Sequence, residues 1–474
     1  MTAPRAIFLH GSIMRHVAVM TATGSVGLVA VFVVDLLNLF YISLLGQAEL
    51  AAAIGYAGTV QFFTTSVAIG IMIAGSAVVS RALGAGRRDQ ARAFATTAVV
   101  YMLVAMLALT LVSLPLIDPI LRVLGATGAT QEIARRYLVM VTLSTPLLGI
   151  GMIASGLLRA AGDASRAMWV TLGGGLLTAV LDPILILWLD FGVDGAAMVA
   201  VVARLFMAAY GLHACLRAHR LLCRPTLSLV RQHLAPISAI AIPAILTNVA
   251  TPIGNAYITA ALAPYGDSAV AAWAVIGRII PVAFGPLFAL TGAVGPILGQ
   301  NLGGRRFDRL HETVKASLIL TTLYVSIVWG LLAVSRNAIA SVFGLTAEGQ
   351  AIVAIFCLLA AGSFIFLGAL FVANAAFNNL GAPLLSTAFN WGRATLGTIP
   401  LVWLGSHLAG AQGVILGQAV GAIAFGVAAV VAAFRLVRKI AAAAGDGNPA
   451  PEPYPANPEL PALSSPHDAT AIEP

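Results

Sequence analysis

Leu83-Gly84-Ala85-Gly86-Arg87-Arg88-Asp89 and Leu302-Gly303-Gly304-Arg305-Arg306-Phe307-Asp308 are one turn written twice, 219 residues apart. Each ends a long apolar run with glycine and a pair of arginines. Other echoes keep step. Leu45-Gly46 followed by Ala51-Ala52 is answered by Gly266 followed by Ala271-Ala272, and Gly162 is answered by Gly381, at offsets of 219–220. The chain therefore reads as two copies of one unit. If each copy crosses a bilayer an even number of times, both copies begin on the same side. Their axis then runs along the membrane normal, and a solute site is expected between them.

Composition says why a bilayer is the right solvent. Of 474 residues, 59% are hydrophobic and 9% charged, against about 25% charged in a soluble domain. Too few charges remain to build a water-facing surface. The apolar runs reach twenty residues or more, the length of a spanning helix. Inside lipid every backbone N–H and C=O needs an internal partner, so such runs read as helices; barrel strands would alternate over about ten residues. The three cysteines, Cys215, Cys223 and Cys357, lack zinc-site spacing, so neither metal nor disulfide is read. The first apolar run is too long for a cleavable signal peptide. The net charge of +8 sits mostly on loop arginines and is not read as a nucleic-acid surface.

The fold expected is all-α and integral to the membrane, with twelve transmembrane helices in two pseudo-symmetric six-helix bundles. Helices 1 to 12 are placed at roughly 18–44, 49–80, 93–117, 134–160, 166–189, 193–217, 234–263, 268–300, 313–335, 349–380, 384–407 and 411–437. The domains follow: an N-terminal segment 1–17, a first bundle 18–217, a linker 218–233, a second bundle 234–440 and a tail 441–474. The tail is rich in Pro and Ala and cannot bury a core, so it is read as disordered. With both termini inside, nineteen Lys and Arg fall on the inner side and four (Arg122, Arg135, Arg136, Arg336) on the outer. That asymmetry sets cytoplasmic termini in a plasma (bacterial inner) membrane.

Ionisable groups inside lipid are costly and are functional candidates by default. Two carboxylates sit well inside a span. Asp35 in helix 1 and Asp182 in helix 5 lie about nine and eight residues from the outer end, or ~12–13 Å. At matching depth they suit a proton carrier or half of a sodium cage. Asp182 precedes Pro183 and can also serve the kink there. Asn38, three residues after Asp35, shares its face and can orient that carboxylate or bond to a neighbouring helix. The second half carries Asn248, Asn255, Asn374, Asn378 and Asn390 instead, and Asn255 stands where Asp35 stands in the first copy. Arg204, Arg278 and Arg393 are buried cations that snorkel or pair with carbonyls; Arg278 is kept as a substrate-binding candidate. Gln61, Phe62, Tyr257, Trp273 and Trp391 are candidates to line a cavity for greasy cations. Pro243 and Pro252 in helix 7, with Pro281, Pro286 and Pro296 in helix 8, allow bends.

These features together resemble the multidrug and toxic compound extrusion (MATE) family over roughly residues 10–440. The resemblance rests on Asp35 followed by Leu45-Gly46 and Ala51-Ala52, on Gly84-Ala-Gly-Arg-Arg-Asp-Gln-Ala91, and on Leu158-Arg-Ala-Ala-Gly-Asp163. Leu181-Asp-Pro183 with Phe191-Gly-Val-Asp-Gly-Ala-Ala197, and Gly299-Gln-Asn-Leu-Gly303, complete it. It implies two bundles around a cleft and export of amphiphilic or cationic organic compounds driven by inward H⁺ or Na⁺. No acids stand in helices 7 and 10, which looks like the DinF-like branch. That branch implies Asp35 as the coupling acid, with Asp182 as the second. Relatives that add an asparagine and a threonine have Thr178 and Ala200 here; Ala200 offers no oxygen, which favours protons over sodium. The expectation is therefore a proton-coupled antiporter, monomeric, contacting membrane lipid, with no cofactor beyond the coupling ion. The alternatives are a sodium-coupled exporter, a flippase of lipid-linked sugars, or a membrane-embedded enzyme. His213, His219, His233 and His311 show no motif spacing that would favour the enzyme.

Overall fold

The computed structural model describes residues 6–43 and 48–445. The Leu45-Gly46 turn, Arg5 and the greater part of the tail lie outside the described residues. Every regular element among those described is helical. Helices 1, 2 and 3 are Ile13–Ser43, Ala48–Gly84 and Arg88–Val123. Helix 4 comes in two parts, Gly128–Leu143 and Thr145–Ala160, bent by 49°. Helix 5 is Ala164–Asp182, continued by a π-helical stretch Pro183–Trp188; helix 6 is Gly192–His213, continued by Ala214–Ala218. Helices 7, 8 and 9 are Leu227–Leu262, Asp267–Gly303 and Phe307–Val342. Helix 10 is Ala347–Leu358 and Phe364–Asn379 around a 3-10 stretch, Ala360–Ser363. The last apolar segment, Pro383–Ala443, has 61 residues. At ~1.5 Å per residue it is about three times longer than a bilayer is thick.

That segment is two crossings. Its backbone leaves helical angles at Ala409 and Gly410, and the chain turns back. Gly413, Gly417 and Gly421 face the carbonyls of Gly405, Leu401 and Gly397 so closely that a Cβ at any of the three would overlap them. These pairings run antiparallel about the turn. Helix 11 is therefore Pro383–Ala394 and the limb from Ile399 to the turn, and helix 12 is the limb that returns. Twelve crossings result.

The duplication is written in the backbone. The left-handed turn residues pair at an offset of 219: Gly86 with Arg305, Gly125 with Gly344, and Gly162 with Gly381. Glycine takes such angles without steric cost. Arg305, at φ 57°, keeps the turn where the second copy has lost its glycine.

The copies meet where helices 2 and 8 cross. A Cβ on Gly84 would overlap the carbonyl of Gln300, and one on Gly303 would overlap the carbonyl of Arg81. The two contacts are images of each other under the repeat, so the crossing lies on the pseudo-twofold axis. Without a hydrophobic force between helices in lipid, close approach at small residues is what holds them. Arg81 adds a guanidinium bond of 2.5 Å to the carbonyl of Asn379.

Packing differs sharply between the two faces of the molecule. On the face carrying the Arg87-Arg88 and Arg305-Arg306 turns, buried clusters mix the halves. One joins Ile71, Ala74 and Leu157 to Ile237 and Ile240 of helix 7. Another joins Phe8, Ile13 and Val17 to Leu290, Leu298 and Ile440. Toward the opposite face each bundle keeps its own core: Ala53, Ile117, Leu138 and Val193 in the first, Leu262, Trp273, Val353 and Val414 in the second. A core shared on the basic face and split beyond it describes a cleft closed at the basic end. The chain's N-terminal stretch is part of that closure. Gln300 Oε1 accepts from the Phe8 amide at 3.1 Å, and Arg309 Nη2 donates to the carbonyls of Phe8 and Gly11 at 3.0 Å.

Candidate functional site

Helix 5 ends its α-helical turns at Asp182 because Pro183 brings no N–H to the ladder and crowds the turn before it. The chain passes instead into a wider π-helical stretch, a feature that recurs at functional sites. Asp182 is fully buried, at 0% exposure. One carboxylate oxygen accepts from Asn38 Nδ2 at 2.9 Å; the other has no hydrogen-bond partner among the described residues. Asp35, one turn before Asn38 on helix 1, is exposed and lies within electrostatic reach of Asp182. The structure thus brings Asp35, Asn38 and Asp182 together. Asn38 serves the acid of the other helix rather than Asp35.

A second polar cluster borders this one, and the sequence did not announce it. Tyr137 of helix 4, 8% exposed, bonds to Gln61 and sits in the field of Asp35, Asp182 and Arg204. Arg204 is fully engaged, donating to the Val141 carbonyl at 2.6 Å, to Ser144 Oγ at 2.9 Å and to Gln61 Oε1 at 2.9 Å. Arg204 thereby pins the bend of helix 4. Gln61, expected to line a solute cavity, is instead the link between that arginine and Tyr137. A tyrosine near the assumed start of a span passes for an interface residue, so pattern alone gave no signal for Tyr137.

The other candidates scatter. Thr178 gives its hydroxyl proton to Gly174 of its own helix at 3.0 Å. Asn374 and Asn378 are buried and bonded between helices 10 and 11: Asn390 Nδ2 donates to Asn374 Oδ1 at 3.0 Å and Ser386 Oγ to Asn378 Oδ1 at 3.2 Å. They join helices 10 and 11 of the second bundle. Trp273 belongs to the second bundle's own core. Asn248 bonds within helix 7, to the Ala244 carbonyl at 2.8 Å, and Asn255 is exposed on that helix. Tyr257 and Trp391 tie helix 7 to helix 11 through the carbonyls of Ile399 at 3.4 Å and Leu246 at 3.0 Å. Phe62 and Arg278 are exposed.

Outside the spans, Asp163 opens helix 5. It accepts from the Arg166 amide at 2.9 Å, from the Arg166 guanidinium at 2.5 Å, and pairs with His219 Nε2 at 2.7 Å. Burial works to raise this carboxyl, but the bonds from His219 and Arg166 outweigh it and hold the group well below the usual carboxylate range.

Two repeated bundles, a cleft closed at one end and a buried acid at a helix break beside a second acid define a multi-pass membrane transporter. Comparison with known proteins gives the family. The MatE family model matches residues 25–184 and again 243–404, one match in each copy. The chain belongs to the MatE family of transporters. It is 27% identical to the FAD transporter of Shewanella oneidensis over 445 residues, spanning 92% of this chain and 98% of that protein. It is 24% identical to the multidrug export protein MepA of Staphylococcus haemolyticus over 345 residues, 71% of this chain and 75% of that one. Among solved structures, a substituted form of the Vibrio cholerae MATE transporter VcmN superposes with a TM-score of 0.86 at 25% identity, covering 90% of this chain and 97% of that one. These relatives are transporters, not enzymes.

Proposed function

We propose that the chain is a secondary antiporter, of DinF-like type, that exports amphiphilic organic solutes in exchange for protons taken up by the first bundle. The carrying observation is Asp182. It is fully buried, with one oxygen held by Asn38 and the other left unbonded, beside an Asp35 exposed to entering ions. A carboxylate kept at such cost is kept for reversible ionisation. Protonation removes the repulsion between the two acids and changes how helix 1 packs on helix 5. Thr178 donates its hydroxyl proton to its own helix and can still offer its oxygen, but Ala200 offers none, which supports H⁺ over Na⁺ as the coupling ion. The arginine-rich face is taken as cytoplasmic in a bacterial inner membrane. Helix 12 and the stretch before helix 1 both reach it, since Phe8 and Ile440 share one cluster there.

The family resemblance supports cationic amphiphiles as solutes, and the likeness to MepA agrees. The Shewanella relative supports a second version, a flavin nucleotide. Purified protein in liposomes tests the common core. An imposed pH gradient without sodium should drive solute movement, and a sodium gradient at fixed pH should not. Movement under sodium alone would overturn proton coupling; movement under neither would overturn antiport.

A further inference from the structure

Arg393 is a buried cation whose hydrogen bonds packing leaves incomplete. It lies in the last turn of the first part of helix 11, about 15 Å along the helix from Pro383 at ~1.5 Å per residue. It is 9% exposed. Its Nη2 donates to Thr251 Oγ1 at 3.3 Å, its Nε is buried with no hydrogen-bond partner among the described residues, and no described carboxylate pairs with it. Arg81 and Arg92 also hold a buried Nε without a hydrogen bond among the described residues, and Arg159 donates to Met72 Sδ at 3.4 Å. All three are less buried than Arg393. Two others are better satisfied. Arg204 makes three short bonds, and Arg309 uses Nε on Asn301 at 3.0 Å and Nη2 on two carbonyls. An unpaired charge at this depth costs several kcal/mol unless an anion joins it.

The surroundings are shaped to receive one. Arg393 lines a cavity of about 40 Å³ inside the second bundle, together with Ser363, Gln418, Phe356, Phe364 and Ile280. That exceeds the roughly 10–15 Å³ one water needs and falls far below the ~300 Å³ of a drug-sized pocket, so a single headgroup fits and a whole solute does not. Gln418 brings an amide donor, and no acid lines the space. The helix is interrupted beside it: regular α-helix ends at Ala394, a hydrogen-bonded turn follows, and the helix resumes at Ile399. Broken helices of this kind hold substrate groups in transporters. Thr251, which the guanidinium grips, is exposed on helix 7 and shares a helical face with Asn248 and Asn255, so the site reaches the surface.

We propose that Arg393, with Thr251 and Gln418, forms a subsite for an anionic group, a phosphate ester or carboxylate, carried by the transported solute. The exported compounds then include amphiphilic anions, and each bundle has its own charge to handle: protons on the acids of the first, a solute anion on the arginine of the second. This rests on the chain being an exporter, but it fails separately.

The test uses purified full-length protein and two ligands with one ring system, riboflavin and flavin mononucleotide, with inorganic phosphate as a third. Wild type should bind the phosphorylated flavin at least tenfold more tightly than riboflavin. Arg393→Gln should bring that ratio to about one, and Arg393→Lys should retain part of it, both variants running as monodisperse protein on size exclusion. A ratio near one in wild type, no binding of either flavin, or a ratio unchanged in Arg393→Gln would overturn the proposal. Phosphate alone displacing flavin mononucleotide at equal concentration would overturn the assignment of the anion to the solute. Proton-driven export of an organic cation by a protein blind to phosphate would leave the exporter standing and remove this subsite alone.

Discussion

Helix 5 and helix 11 hold the same place in the two copies, and each carries an ionisable group beside an irregular stretch, yet the two groups have opposite charge. At the first, Asp182 stands before Pro183 with Asn38 of helix 1 on one oxygen. At the second, Arg393 stands before a non-helical turn with Thr251 of helix 7 on one nitrogen. Helices 1 and 7 are also equivalents. The offset of 219 sets Arg393 opposite Gly174, eight residues before Asp182, so each copy carries an ionisable group gripped from the neighbouring helix, at its own position and with its own sign. A pseudo-symmetric scaffold can thus hold two sites of opposite preference without a change of architecture.

The largest effect that tests this contrast is at the acids. Asp35→Asn should abolish proton-driven export, with the protein still inserted and monodisperse, because an amide keeps the shape but cannot ionise. Cells expressing the variant should lose solute resistance at unchanged protein level. Full resistance would mean that the first bundle is no more an ion site than the second, and the contrast would collapse.

Next comes the crossing on the axis, where the copies are equal rather than opposite. Gly84→Val and Gly303→Val each drive a side chain into a backbone carbonyl of the other helix. Each should cost about 1–3 kcal/mol and cut transport severalfold by preventing closure of the basic face. Thermal melting and liposome flux measure both. Matched losses would sharpen the symmetry of the crossing; a loss confined to one glycine would show that the axis is only approximate.

Much of this was legible beforehand. Twelve crossings, the 219-residue offset and the pairing of Asp35 with Asp182 follow from apolar runs, repeated turns and the rarity of buried acids. The breaks were not. Helices 7 and 8 carry three prolines each and remain single helices. Helix 5 changes its winding at Pro183 alone, and helix 11 opens just before Pro400. What decides is whether neighbouring helices leave room for a displaced turn, which is a tertiary fact. For the same reason the bonding of Asn374 and Asn378 was not legible: an amide that binds a solute and one that binds the next helix are the same letters. The unfinished bonding of Arg393 shows only once its neighbours are in place.

A smaller effect separates the copies outside the membrane. The turn Gly162-Asp163 is repeated as Gly381-Ala382, so the second copy has no acid where the first holds His219 and Arg166. Because the folded Asp163 carboxyl is held below its ordinary value of 3.8, its stabilisation is fully present above that value and is lost as pH falls below it toward the folded value. Asp163→Asn should cost about 1–3 kcal/mol at pH 7 and progressively less below pH ~4. Melting curves of both proteins between pH 3 and 7 measure it. A gap that stays constant with pH would mean that the ion cluster contributes no charge-dependent stability.

The smallest effect lies where helices 4 and 10 meet helices 5 and 11. In the first copy Ser155 Oγ donates to the Ala167 carbonyl at 3.2 Å. In the second the equivalent positions are bridged by Ser386 Oγ donating to the Asn374 carbonyl at 3.3 Å, and Asn390 and Asn378 extend the bridge into a ladder. Asn390 also bonds its own helix, to the Ser386 carbonyl at 2.7 Å, so its amide is fully occupied by protein. Interhelical hydrogen bonds in membranes average ~0.6 kcal/mol, because the separated helices find other partners. Asn390→Ala should therefore lower stability by about that much, up to ~1.7 kcal/mol, and leave solute export and its phosphate preference as in wild type. Ser155→Ala should cost no more. If Asn390→Ala instead lost export at unchanged melting temperature, the ladder would be a solute site. The second bundle would then present two polar sites to the first bundle's one, and its asparagines would stand as functional replacements for the acid that helix 7 lacks.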